Sequence, residues 1–304
     1  MKLCKDSRKD NNREYFYLSW EKKENKNAMV IAHGMAEHPA RYEDFALFLN
    51  DQGYNVYAIY HEGHGEVHKN TLGHFEKNGF LDCVLNLNDL ILKIKKISDK
   101  VVLLGHSMGS FMTQEYLSRF SCNIDACILS GSSSPNMLIK SGALLANLLY
   151  IFPGKTKKSN FMNNLSFGSY NKQFKPNRTT FDWLSRDCQQ VDKYILDPYC
   201  GYVCTRGFYK SFLTYFSKIH KKKKLNAIRK DIPILIIGGT KDPVSGNGEG
   251  LRTILVKYKI ENINDVTLKL YDEARHEILN EINKEEVYID IKDWLETRIN
   301  EKND

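Results

Sequence analysis

The 304-residue sequence predicts an α/β protein: a mostly parallel central sheet with helices on both faces and an inserted helical cap. Three observations lead there. Short apolar runs alternate with longer amphipathic ones between residues 28 and 298. One apolar run, Val101 to Leu104, passes through Gly105-His106-Ser107-Met108-Gly109 straight into a helix-compatible stretch, Phe111 to Phe120. Finally, residues 132–230 lie between two consecutive strand signals, too long an interval for a structureless loop in a compact domain. The chain accordingly divides into a core, residues 1–131 and 231–304, and a cap, residues 132–230.

The elements follow in order. Residues 1–13 are charged and polar and read as a frayed N-terminus. Glu14 to Trp20, rich in aromatic residues, reads as the first strand, and Ala28 to Ala32 as a second, wholly apolar one that ends in His33-Gly34-Met35. Arg41 to Asn50 suits a helix stopped by Gly53. Tyr54 to Tyr60 is the next strand, closed by the turn Glu62-Gly63-His64-Gly65. Gly79 to Ile97 carries Leu81, Leu85 and Leu92 at helical spacing before the strand of Lys100 to Leu104. Asp125 to Leu129, Ile232 to Ile237 and Val266 to Tyr271 read as the remaining strands, and Lys284 to Arg298 as a closing helix with Val287, Ile291, Trp294 and Leu295 on one face. Within the cap, Met137 to Phe152 reads as a helix whose polar positions Lys140 and Asn147 share one narrow stripe, which leaves a broad apolar face.

Composition narrows the function classes. A hydrophobic content of 42% fills a sizeable core. No basic segment followed by an apolar one opens the chain, so no signal peptide is expected, and the longest apolar stretch, Gly142 to Phe152, is too short to span a bilayer. Seven scattered cysteines fit reduced thiols in a cytoplasmic protein. Cys200 and Cys204 stand four apart, but no second pair has zinc spacing, so no metal is expected. The net charge of +7 comes from 44 basic residues, mostly lysines, spread along the chain with runs at residues 155–158 and 221–224. Nucleic-acid readers concentrate arginine and aromatics in a patch, so this excess reads as solvated loops, with weak attraction to anionic membrane surfaces as the alternative.

Strand, tight turn and helix around Gly-x-Ser-x-Gly define a nucleophile elbow, in which a strained turn lifts the serine hydroxyl above the sheet and glycines avoid collisions. Ser107 is the candidate nucleophile. Such an elbow calls for an acid and then a base further along the chain. Asp242 follows the strand Ile232 to Ile237, and His276 follows the strand Val266 to Tyr271, each within about six residues of a carboxyl end where open α/β sheets place their sites. His276 is also the only histidine beyond His220.

These motifs resemble the alpha/beta-hydrolase family, and within it the monoglyceride lipase and lysophospholipase group classed with the S33 serine aminopeptidases. The resemblance spans about residues 28–298. It rests on His33-Gly34-Met35-Ala36-Glu37-His38 with Arg41-Tyr42, on Gly63-His64-Gly65, on the elbow, on Gly239 to Pro243, and on Leu270 to Glu281. It implies an oxyanion hole made by the backbone N–H groups of Met35 and Met108, and a structural turn at Gly63-His64-Gly65 whose histidine orders the pocket edge. Tyr60 and Glu62 stand where family members carry an aspartate and an arginine. It also implies hydrolysis of carboxylic esters of single-chain lipids, monoacylglycerol or lysophospholipid, without a cofactor. The apolar helix, with Leu144 and Leu148 one turn apart, is expected to wall the acyl pocket, while Lys155, Lys157 and Lys158 hold it near an anionic lipid surface. A general short-chain carboxylesterase, a proline-preferring aminopeptidase and a non-catalytic binding protein are the competing readings. The lysine- and tyrosine-rich cap lacks the acidic site an aminopeptidase needs, and a binding protein normally loses one of the three catalytic residues.

Overall fold

The computed structural model describes residues 1–8 and 13–300. Eight strands form one sheet: β1 (Lys2–Ser7), β2 (Glu14–Trp20), β3 (Asn27–Ala32), β4 (Tyr54–Ile59), β5 (Val101–His106), β6 (Ala126–Ser130), β7 (Ile234–Gly239) and β8 (Val266–Tyr271). Their spatial order is β1-β2-β4-β3-β5-β6-β7-β8, antiparallel at the β1–β2–β4 end and parallel from β4 to β8. Strands β5, β6 and β7 are buried at every position, as strands covered on both faces must be, which is why they read as unbroken apolar runs.

Helices α1 (Glu43–Asp51), α2 (Gly79–Ile94), α3 (Met108–Phe120), α9 (Glu249–Ile260) and α10 (Lys284–Leu295) cover the two faces. Between β6 and β7 come five more: α4 (Met137–Ile151), α5 (Asn160–Phe167), α6 (Cys188–Leu196), α7 (Arg206–Phe216) and α8 (Lys222–Asn226). Two apolar clusters flank the sheet. Leu87, Leu103, Met112 and Leu129 belong to one, and Phe45, Leu104, Ile128 and Ile291 to the other. No helix among the described residues is long and apolar enough to cross a membrane.

Two departures from the sequence reading concern the core. The N-terminus is not frayed over residues 2–7: β1 runs antiparallel along β2, with Lys2 opposite Ser19 and Ser7 opposite Glu14. Its side chains are mostly exposed, so backbone pairing holds it and apolar periodicity carries no signal of it. Helix α9 also went unread, because only Leu251, Ile254 and Tyr258 are buried among its charges. All seven cysteines are free, and Cys200 and Cys204 lie outside helices, not on a shared helix face.

Candidate active site

Register brings the chemistry to one edge. Pairing of Gly105 with Ala32 and of His106 with Ser130 aligns the carboxyl ends of β3, β5 and β6, and Gly239 opposite Tyr271 does the same for β7 and β8. Ser107 stands where β5 turns into α3, with φ 51° and ψ −118°, a conformation that costs a non-glycine residue of order 1–3 kcal/mol. The surroundings hold it there. Its N–H donates to the Ser130 carbonyl at 2.9 Å, and its own carbonyl accepts from the Ser110 N–H at 2.9 Å and the Ser110 hydroxyl at 2.6 Å. The flanking glycines have steric causes: a Cβ on Gly105 would meet Thr113 and the Gly109 carbonyl, and one on Gly109 would run into the Ala32 carbonyl.

Asp242 and His276 meet as the topology requires. Nδ1 of His276 lies 3.0 Å from Oδ1 of Asp242, both side chains are buried, and the same carboxylate oxygen accepts the Val244 N–H at 2.9 Å. With Nδ1–H given to the carboxylate, Nε2 keeps the lone pair. Burial pulls the His276 pKa down, but the charge and hydrogen bond of Asp242 outweigh it and the net shift is upward. His106, with its ring 4.8 Å from that of His276, goes the other way: burial, and then repulsion from His276, lower it to about 4. It is a neutral neighbour.

Ser107, His276, Met35 and Met108 all line one cavity of about 1460 Å³, larger than a drug-sized site needs. Met108 is the first residue of α3, so its N–H has no intrahelical acceptor. Met35 lies in the turn after β3, where the preceding N–H, that of Gly34, is taken by Oε1 of Glu37 at 2.5 Å. Glu37 also accepts from Tyr42 at 2.8 Å and Arg41 at 2.7 Å, and Arg41 reaches on to both oxygens of Glu277 at 2.7 and 2.6 Å. Burial alone would raise the Glu277 carboxyl; Arg41 more than offsets it and holds it at about 2. This chain of buried charges joins the turn that carries Met35 to the residue after His276. The sequence singled out Arg41-Tyr42 as a motif without seeing this role, and the adjacency of Glu277 to His276 was its one available signal.

The segment between β6 and β7 touches the site closely. Backbone N–H groups of His276 and Glu277 donate to the carbonyls of Trp183 and Leu184 at 3.4 and 2.7 Å, and the Trp183 ring lies 5.2 Å from that of His276. No periodicity marks these residues, because they lie in irregular backbone.

Leu144 and Leu148 do not line the cavity. They are 66% and 51% exposed on the outer face of α4, whereas Ile139, Gly142 and Leu145 face the cavity. Asn147, read from sequence as sharing one narrow polar stripe with Lys140, accompanies this rotation. It turns inward, donating to Thr214 of α7 at 3.0 Å and to the Ala143 carbonyl at 2.7 Å, and Ala143 and Ala146 are buried beside it. That seats α4 with its leucine ridge to solvent. His64 likewise sits one layer behind the cavity wall, its ring 5.9 Å from that of Tyr202, which does line it. Where the resemblance pointed to a departure, Glu62 pairs with Arg13 at 2.7 Å and Tyr60 donates to Glu66.

Among the described residues, His38, Asp197 and Cys200 form a group whose ligand-type atoms lie within 4.8 Å of one another. Two of these atoms already bond each other, Nε2 of His38 with Oδ2 of Asp197 at 2.7 Å, fastening the turn after Met35 to the segment after α6.

An eight-stranded sheet of this order, with a strained serine after β5 and a carboxylate–histidine pair after β7 and β8, defines an alpha/beta hydrolase. More narrowly, the model of the serine aminopeptidase S33 family matches residues 23–283, and the chain belongs to that family. Curated relatives include a monoacylglycerol lipase of Mycolicibacterium smegmatis, 26% identical over 274 residues that cover 89% of this chain and 88% of that one. The monoglyceride lipase of Homo sapiens is 25% identical, with coverage of 90% and 83%. Among solved structures, a thermostable carboxyl esterase from Bacillus coagulans in complex with glycerol superposes with a TM-score of 0.88 at 22% identity, covering 98% of both chains. The monoacylglycerol lipase of Paleococcus ferrophilus gives 0.71 at 23%, covering 93% of this chain and 99% of that one. These two likenesses show the fold.

Proposed function

We propose that the chain hydrolyses carboxylic esters of single-chain lipids through an acyl-enzyme on Ser107. One observation carries the reading: a serine held at φ 51° shares a cavity with a histidine whose Nδ1 is bonded to a buried carboxylate. Ser107 attacks the ester carbonyl while Nε2 of His276 takes its proton. The backbone N–H groups of Met35 and Met108 receive the developing oxyanion, a contribution worth about 10²–10³ in turnover per donor. His276 then protonates the leaving alcohol, and water, activated by the same nitrogen, releases the acid. Asp242 fixes the tautomer and stabilises the imidazolium.

Residues 132–230 act in this reading as a cap over the core formed by 1–131 and 231–304. Its inner wall, with Ile139 and Leu145 from α4 and Phe212 and Leu213 from α7, takes the acyl chain. Its outer ridge, where Leu144, Leu148, Ile151 and Phe152 are exposed beside Lys155, Lys157 and Lys158, rests on an anionic lipid surface. The lipase relatives favour this substrate class over an aminopeptidase.

Labelling by a fluorophosphonate tests the centre of the proposal. Wild type is expected to react and Ser107→Ala to lose both labelling and ester hydrolysis with its circular dichroism unchanged; persistent labelling would remove Ser107 as nucleophile. A chain-length series tests the wall. At about 0.8 kcal/mol per buried methylene, kcat/KM should climb with acyl length in wild type, and Leu145→Asp should depress long-chain esters far more than acetyl esters. No chain-length preference in wild type would leave a general carboxylesterase.

A further inference from the structure

We infer that Ser110, Ser132, Gln114 and His220 are positioning residues, which set the nucleophile turn through a hydrogen-bond chain running one way, from the Lys257 ammonium to the Ser107 carbonyl. The inference rests on the acyl-enzyme reading, which makes that turn the seat of the chemistry. Groups that can act in only one sense fix the direction of every link. A carbonyl only accepts, so the Ser110 hydroxyl, 2.6 Å from the Ser107 carbonyl, commits its one proton there. Its oxygen must then receive the Ser132 hydroxyl, 2.8 Å away. The Gln114 amide nitrogen lies 3.3 Å from the Ser133 carbonyl and 2.9 Å from Oγ of Ser132, so it donates to both and turns Oε1 towards His220. Nε2 of His220 reaches that oxygen at 2.6 Å and must carry the proton. The lone pair left on Nδ1 accepts from the Lys257 ammonium at 3.2 Å and the Ser134 hydroxyl at 3.0 Å, and Lys257 also donates to Ser134 at 2.9 Å.

The chain joins separate parts of the molecule. Ser110 and Gln114 stand one turn apart on α3, Ser132 to Ser134 follow β6, His220 follows α7, and Lys257 belongs to α9. Ser110, Ser132 and Gln114 are fully or almost fully buried. Burying three polar side chains lowers stability unless every member is paired, and apolar side chains would fill the same space without that demand. What the polar set adds is a directed hold on one carbonyl, because bonds pointing the same way polarise one another and the positive end of the chain lies at Lys257. Burial, and then repulsion from Lys257, lower the His220 pKa to about 3, so Nδ1 stays an acceptor. Ser107 keeps its φ of 51° against strain, so slack at its carbonyl is expected to move Oγ away from His276. The loss should fall on kcat, since the cavity wall that binds the acyl chain is untouched.

The test uses Gln114→Glu, nearly the same shape, which still accepts from His220 but cannot donate to Ser132. Its kcat on a medium-chain ester, and its rate of fluorophosphonate labelling, should fall on the order of tenfold with KM little changed. His220→Leu should lose as much. His220→Gln, whose amide can receive from Lys257 and donate to Gln114, should recover most of it. Nitrogen-15 NMR of histidine-labelled wild type reads the direction without reference to activity: the ring signals that vanish in His220→Gln should show a neutral Nε2–H tautomer at pH 7. A protonated ring or an Nδ1–H tautomer overturns the chain. So does a kcat indifferent to Gln114→Glu and His220→Leu, or a His220→Gln variant that regains the thermal midpoint of wild type but not its kcat, which would leave the chain as packing alone. In each of these cases wild type still takes up the fluorophosphonate at Ser107. Wild type that takes up none and hydrolyses no ester overturns the acyl-enzyme reading, and the positioning role with it.

Discussion

At the scale of single residues, His276 is the most sensitive group, because in the proposed mechanism its protonation serves folding and catalysis in opposite directions. Asp242 raises its pKa, so His276 adds stability that is complete below its unfolded value of about 6.5 and is lost as pH rises through the folded value. The proposed mechanism needs the neutral ring, so turnover is expected to rise over that same upper interval. The acid limb of kcat/KM is expected above pH 6.5. Asp242→Asn removes the charge that raises the pKa, so the limb should move downward while kcat falls, by about 10⁴ in the serine-protease precedent. A limb that stays in place would mean that another carboxylate sets the histidine. The places of Ser107, Asp242 and His276 after β5, β7 and β8 were legible because a fold of this kind fixes their order along the chain. Trp183 was not, since its place beside His276 depends on a tertiary contact with no local pattern.

At the scale of elements, the ion chain Glu37–Arg41–Glu277 ties the turn after β3 to the turn after β8. The Arg41 side chain is 10% exposed and the two carboxylates less, so removing the guanidinium leaves two buried charges without a counterion. Arg41→Ala should cost on the order of 3–5 kcal/mol in denaturant unfolding, and Arg41→Lys should recover only part of it because an ammonium cannot bridge both carboxylates in the same fork geometry. Loss below about 1 kcal/mol would show the network to be expendable. Helix α4 shows what patterning leaves undecided. A stretch that is apolar nearly all round fixes the presence of a helix but not its rotation; the rotation adopted buries Ala143 and Ala146, packs Ile139, Leu145 and Leu149 on the core and lets Asn147 bond Thr214. Strand β1 shows the converse limit, being held by main-chain pairing that side-chain periodicity does not report.

For the molecule as a whole, acid should be the weak side. His33, His61, His64 and His106 are buried and held neutral, chiefly by burial: His61 and His64 fall to about 3, His106 to about 4 and His33 well below its ordinary value. The unfolded chain takes up these protons near pH 6.5 and the folded chain does not, so stability drops as pH falls from there, by as much as about 1.4 kcal/mol per pH unit per group. Glu277 adds loss of the same sign between about 4.5 and 2. Midpoints of urea unfolding measured from pH 8 to 4 should decline steeply below 6.5; a flat profile would mean that the histidine cluster finds solvent in the native state.

The hydrogen bonds from His276 and Glu277 to Trp183 and Leu184 set a limit on gating. In the proposed mechanism, a cap of residues 132–230 that swung away as one rigid body would strip two main-chain partners from the segment bearing the base, so each opening would also dismantle the machinery it exposes. On that reading, admission of substrate is expected to be divided within residues 132–230, with residues 182–186 held to the sheet and α4 moving independently. Amide exchange should separate them, with slow, core-like protection at His276 and Glu277 and fast exchange along α4. Equal rates in both would describe a single hinged flap.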